Sequence, residues 1–111
     1  MNALAALADP TRRHIVELLA EGGELSAGEL AAHFDTSRPG VSRHLRVLRE
    51  LGVVRARGEG TRQLYSLVPA PLAELDDWLG RYRSFWTNRL DALDTEIRRR
   101  RKTTRTTGEP Q

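Results

Sequence analysis

Between Thr36 and Leu51 the apolar residues Val41, Leu45 and Leu48 recur at spacings of four and three, so a helix gathers them on one face. The other side then carries Ser42, Arg43 and Arg46, with Pro39 and Gly40 at the first turn. Ser37 suits the N-cap, and Pro39 is tolerated in a first turn because its missing N–H has no intrahelical partner there. Gly52 follows, where glycine can take a positive φ and end the helix. The spacing thus predicts a helix over about 37–51 that rests on a core by one side. Its other side presents guanidinium and hydroxyl groups, which is what an element entering a DNA major groove requires. A solvated surface helix can carry the same charges, so the neighbouring segments have to decide.

The charge is unevenly distributed. The net value of +3 hides a segment 36–62 with seven arginines against Glu50 and Glu59. Residues 1–35 and 63–97 are both acidic on balance, and the last stretch, 98–111, is basic again. Positive charge therefore collects where a phosphate backbone would be met. A chain of 111 residues with 39% hydrophobic and 30% charged residues reads as one folded domain with a modest core, marginal as an isolated monomer. No apolar run approaches the ~20 residues of a membrane span, and the N-terminus lacks a signal-peptide pattern, so a cytoplasmic protein is expected. The absence of cysteine excludes disulfides, thiolate metal sites and cysteine nucleophiles.

Upstream, Asn2 to Ala8 is a short alanine–leucine segment ended by Asp9-Pro10. Asp9 reads as N-cap and Pro10 as first residue of a helix over about 10–20, with Ile15, Val16, Leu18 and Leu19 inward. His14, alone near its start, reads as a packing side chain. Ser26-Ala27-Gly28-Glu29 is a capping-box pattern that opens a short helix to about Phe34. A tight polar turn at Asp35-Thr36-Ser37 then leads into the arginine-rich helix, which is a helix-turn-helix arrangement.

Downstream, Val53–Arg57 and Thr61–Val68 read as two strands around a turn at Gly58-Glu59-Gly60. Arg55, Arg57 and Arg62 cluster toward its tip. A two-stranded hairpin needs support from the helices, and a basic hairpin directly after a recognition helix is a wing. Pro69 and Pro71 then break the strand. From Leu72 an apolar stripe runs through Leu75, Leu79, Tyr82, Trp86, Leu90, Leu93 and Ile97, widened by Trp78 and Phe85. One helix over 71–101 would be about 45 Å long, more than a domain of this size covers. Leaving such a stripe in water is costly, so it is expected to pack against a second copy, assisted by the N-terminal segment. The dimerisation residues expected are Leu4, Leu7, Leu75, Trp78, Leu79, Tyr82, Phe85, Trp86, Leu90 and Leu93.

Two stretches resemble a known family. Ala8-Asp9-Pro10-Thr11-Arg12-Arg13 with Ile15-Val16-Glu17-Leu18-Leu19 resembles the opening of ArsR-family winged-helix repressors. Val41-Ser42-Arg43-His44-Leu45-Arg46-Val47-Leu48-Arg49-Glu50-Leu51-Gly52-Val53-Val54 resembles their recognition helix and the approach to the wing. The resemblance covers about residues 4–100. It implies a mainly α fold with a small β-hairpin (α+β), namely a winged helix-turn-helix with a long C-terminal dimerisation helix. Residues 1–101 would form the DNA-binding and dimerisation domain, and 102–111 a flexible basic tail. The function implied is a homodimeric transcriptional repressor on double-stranded DNA of inverted-repeat character, commonly autoregulatory, with no cofactor and no membrane partner.

Metal-sensing relatives carry a cysteine pair where this chain has Ser26 and Gly28. Their second site uses aspartate and histidines on the C-terminal helix. Asp76 and Asp77 are present there, but residues 63–111 hold no histidine. Carboxylates alone make a poor site for a zinc-class ion, and His14, His33 and His44 fall on three different predicted helices. No metal site is expected, as in the family's metal-independent members.

On this reading Arg43 and Arg46 reach the groove, with Arg38 and Gly40 at the helix entrance. Ser37, Ser42 and His44 donate to phosphates, although His44 borders the apolar face and serves a structural role equally well. Arg55, Arg57 and Arg62 touch backbone or minor groove; Arg49 and Arg12 rank below these. No nucleophile–base pair or phosphate-cradling glycine loop suggests an enzyme. A protein-binding winged helix would call for an acidic or neutral recognition helix. A repressor with a small-molecule site at the aromatic interface around Trp78, Phe85 and Trp86 remains a variant of the main reading.

Overall fold

The computed structural model describes residues 1–35 and 38–108. Thr36, Ser37 and residues 109–111, and the side chains from 102 onward, lie outside the described residues, so the Ser37 cap and Ser37 as a phosphate donor fall there too. The chain divides into two compact units, Met1–Asp76 and Asp77–Gln111.

The first unit starts with α1 (Asn2–Ala8), which lays the small side chains Ala3 and Ala6 into the interior. Asp9 leaves the helical region, and its carboxylate accepts the Arg12 N–H at 2.9 Å, capping α2 (Pro10–Gly22) with Pro10 at the first position as expected. The α1 carbonyls orphaned by this break are met by α2's own arginines. Arg12 donates to Ala5 and Ala6 at 3.0 and 3.3 Å, and Arg13 donates to Leu7 at 3.2 Å.

The residues after α2 hold a feature the sequence pattern did not indicate. Leu25–Ser26 form a two-residue strand, β1, immediately ahead of α3 (Ala27–Ala31). The capping box is complete: Ser26 Oγ accepts the Glu29 N–H at 3.1 Å, and the Glu29 carboxylate accepts the Ser26 N–H at 3.0 Å. The helix ends at Ala31, short of the expected Phe34, which nevertheless packs against the core and meets the His14 ring edge-on at 4.9 Å.

Helix α4 (Arg38–Glu50) buries Val41, Leu45 and Leu48. Gly52, with φ of 75°, turns the chain so that the Gly52 N–H reaches the Arg49 carbonyl and the Val53 N–H reaches Leu48. This is a Schellman closure that only a residue tolerant of positive φ completes without strain. Asn2 donates to the Leu51 carbonyl at 2.9 Å, tying α1 to the end of α4.

Strands β2 (Val54–Glu59) and β3 (Arg62–Leu67) pair antiparallel, from Val54 opposite Leu67 to Glu59 opposite Arg62. The hairpin closes on Gly60-Thr61, later than the Gly58–Gly60 turn expected, because the Glu59–Arg62 pair extends the ladder. Gly60 at φ 62° takes the first central position of this two-residue turn. β1 pairs antiparallel with the other edge of β3, Leu25 opposite Tyr65 and Ser26 opposite Leu64, giving a three-stranded sheet in the order β1-β3-β2. Ile15, Leu19, Leu30, Val41, Leu45, Leu48 and Val53 form the fully buried centre, each contributing about 1.5–3 kcal/mol of burial.

The expected single helix over 71–101 is two helices, α5 (Pro69–Gly80) and α6 (Arg83–Gly108), and the second continues beyond Arg101. Between them the Arg81 and Tyr82 N–H groups bond three residues back, to Trp78 and Leu79. Gly80 lowers helical stability at this point, and these shorter bonds close the α5 end. No helix among the described residues is long and apolar enough to cross a membrane.

Candidate nucleic-acid interface

Helix α4 positions its arginines by what it buries. With Val41, Leu45 and Leu48 fixed in the core, Arg38, Ser42, Arg43, Arg46 and Arg49 are all exposed, as the helical period requires. Gly40 is half-buried at the first turn. His44 is also half-buried and turns toward α2, its Nδ1 lying 3.8 Å from the Asp9 carboxylate. That is too long for a hydrogen bond but close enough for attraction when the ring is protonated. The Asp9 carboxyl is held below its ordinary value chiefly by the Arg12 N–H, against a smaller opposing effect of burial and with help from the His44 charge.

The wing brings its own cations. Arg55, Arg57 and Arg62 are exposed on β2 and β3, but they do not share one environment. Arg57 is gripped by Glu24, Nε to Oε2 at 2.6 Å and Nη2 to Oε1 at 2.8 Å, and its Nη2 also reaches Glu59 at 3.0 Å. These bonds raise the guanidinium's pKa further and lower that of Glu24. Arg62 and Arg38 form no ion pair among the described residues, and both line a cavity of about 380 Å³ with Ser26, Ala27, Ser42, Thr61, Gln63 and Tyr65. Arg12 is turned instead onto the α1 carbonyls. Sequence reasoning missed Thr61, Gln63 and Glu24. The first two come to the cavity through the position of the turn, and Glu24 meets Arg57 through the β1 pairing, neither of which has a local signature.

Residues 9–56 match the family model described as "Bacterial regulatory protein, arsR family". The HTH-type transcriptional regulator Rv2034 of Mycobacterium tuberculosis is 51% identical over 89 residues, 80% of this chain and 79% of its own length. The chain belongs to the ArsR family. The transcriptional repressor SdpR of Bacillus subtilis is 38% identical over 78 residues, covering 70% of this chain and 86% of that repressor. Among solved structures, a possible transcriptional regulator for arsenical resistance superposes with a TM-score of 0.67 at 43% identity, covering 86% of this chain and 96% of that one. This ArsR-family chain is accordingly a winged helix-turn-helix, DNA-binding transcriptional regulator and not an enzyme.

Two further regions bear on how this ArsR-family member works. Near α3, Ser26 caps the helix and the Arg38 guanidinium lies 3.8 Å from where a Gly28 Cβ would be. Among the described residues no group of three His, Asp or Glu side chains is arranged to hold a metal. On the helices after the wing, Trp78, Tyr82, Phe85, Leu90 and Leu93 are exposed, Phe85, Leu90 and Leu93 by more than half. Leu79 and Trp86 are half-buried. Trp78 packs on Tyr82 with ring centroids 5.1 Å apart, and the Arg89 guanidinium sits 4.2 Å above Phe85. Leu4 is exposed, but Leu7 packs against the core and Leu75 is buried within the single chain, so neither offers much surface to a second copy.

Proposed function

We propose that this ArsR-family regulator is a homodimeric, metal-independent repressor that binds an operator of inverted-repeat character, its own promoter among the targets. The observation that carries the DNA-reading part is α4: a helix anchored by Val41, Leu45 and Leu48 that directs Ser42, Arg43 and Arg46 outward together. Arg43 and Arg46 are the base readers, since an exposed guanidinium pairs bidentately with a guanine edge. Arg38, Gly40 and Ser42 set the helix entrance against phosphate. Arg55 and Arg62 carry the wing's contact with backbone or minor groove. Arg57, neutralised by two carboxylates, holds the wing in place, and His44 belongs to the α2–α4 packing.

Metal independence rests on donor chemistry. Serine and glycine replace soft ligands, and a guanidinium occupies the adjacent space, where its charge disfavours a cation. Dimerisation rests on the exposed aromatic and leucine side chains from Trp78 to Leu93, whose hydration is costly and which two copies would bury together.

The test is binding to the DNA upstream of the coding region at graded salt, with zinc and with a chelator. Tight, sequence-selective binding unaffected by either addition supports the proposal. Binding that zinc abolishes would overturn metal independence, and salt-sensitive binding without selectivity would overturn operator recognition.

A further inference from the structure

The cavity at the junction of α3, α4 and the wing is lined by groups from three separate elements. Arg38 and Ser42 come from the start of α4, Thr61, Arg62 and Gln63 from the hairpin turn and β3, and Ser26 from the lead into α3. Among the described residues, no carboxylate lines it. Glu29 senses the Arg62 charge, but its carboxylate is turned back onto the Ser26 N–H. Arg57 on the same wing stands in a different environment. That wing arginine is matched by Glu24 and Glu59, whereas Arg38 and Arg62 converge on one space with hydroxyl and amide groups around them and form no ion pair among the described residues. Two like charges facing one cavity repel each other, an arrangement that an anion of at least one negative charge relieves. Guanidinium groups together with hydroxyl donors are the partners a tetrahedral phosphate oxygen set accepts.

We infer that this cavity seats one phosphodiester of the DNA backbone, gripped jointly by Arg38 and Arg62 with Thr61 and Ser42 donating hydroxyl bonds. The inference rests on the DNA-binding reading above and adds to it a single phosphate shared by recognition helix and wing. Such a seat carries no base information. It fixes the register in which Arg43 and Arg46 meet the groove, and it ties the hairpin turn to the start of α4 through the bound DNA.

The experiment is equilibrium binding of the full chain to an operator duplex selected from its upstream DNA. It is repeated on duplexes in which single phosphates are replaced by uncharged methylphosphonates. Arg38→Gln, Arg62→Gln and Thr61→Val are at exposed positions, and their folding is checked by thermal melting. Each arginine variant is expected to weaken binding about tenfold on selected and unrelated sequences alike, and to flatten the slope of log affinity against log salt by about one unit. Neutralising one and the same phosphate should weaken the wild type most, each arginine variant less, and the Arg38→Gln/Arg62→Gln double variant not at all, because each single variant keeps one of the two guanidinium contacts. If the wild type binds while the sensitivity lost in Arg38→Gln and in Arg62→Gln falls on different phosphates, or on none, the shared seat is overturned and the repressor reading stands. If the wild type binds no duplex at all, both are overturned.

Discussion

Arginines on this surface divide by what their guanidinium groups meet. Arg43 is exposed on α4, whereas Arg12 is bonded to the α1 carbonyls. Arg43→Ala is therefore expected to cost about 1–3 kcal/mol of binding and to relax preference at one base pair, measured on a panel of single-base operator variants. Equal weakening across the panel would assign it to phosphate instead. Asp9 makes a second residue-level case, this time for stability. Its carboxylate caps α2 and attracts His44, and its folded pKa is depressed below 3.8. The stabilisation is thus complete above that ordinary value and lost as pH falls through the lower folded value, because the unfolded chain takes up its proton first. Asp9→Asn keeps a capping side chain but cannot titrate, so its melting temperature should fall less steeply than the wild type's below pH 3.8. Asp9→Ala, which removes the cap, should cost about 1 kcal/mol near neutral pH. Parallel acid melts for the Asp9→Asn variant and the wild type would remove Asp9 from the account.

Elements that depend on local pattern were legible in the sequence, and elements that depend on remote pairing were not. The apolar period of α4, the Asp9-Pro10 start of α2 and the Ser26–Glu29 capping box each involve residues within a few positions, and the structure contains all three. Strand β1 is two residues long and exists only because Leu25 and Ser26 meet Tyr65 and Leu64 of β3, far along the chain, so no local period marks it. The α5–α6 break was masked by an apolar stripe that continues across it, with Gly80 as the only hint. The same remote geometry explains Arg57. Its charge and position alone group it with the DNA-contacting cations, and the Glu24 carboxylate beside it is visible only in the fold. If the pair braces the wing, Glu24→Gln should weaken DNA binding by roughly two- to fivefold, in the range of an exposed ion pair. The double variant with Arg57→Gln should then be no worse than either single change. If Arg57 instead contacts phosphate, Glu24→Gln would release it and binding would tighten.

At the scale of the whole molecule, the apolar side chains from Trp78 to Ile97 include most of the large hydrophobics left exposed among the described residues. Phe85→Glu combined with Leu90→Glu places charge at two of the most exposed of these positions and should yield a folded monomer by sedimentation. Its operator affinity should fall about a hundredfold or more, since two half-sites would then be held by separate molecules rather than one linked pair. A variant that remains dimeric would move the interface elsewhere. The three-stranded sheet has a consequence of a different kind, for how such a chain can vary in length over evolution. Residues 24–26 simultaneously supply the Arg57 clamp, the β1 ladder and the α3 cap. One inserted residue there would shift the strand register by a side-chain face and uncouple all three. The Gly60-Thr61 turn closes a single hairpin and sits at an exposed tip. Extra residues are absorbed there at little cost to the fold, at the expense of moving Thr61 away from the cavity it shares with Arg38 and Arg62. Natural insertions should therefore lengthen the wing's far end while the run before α3 keeps its length, so that the reach of the wing can change without loosening its root.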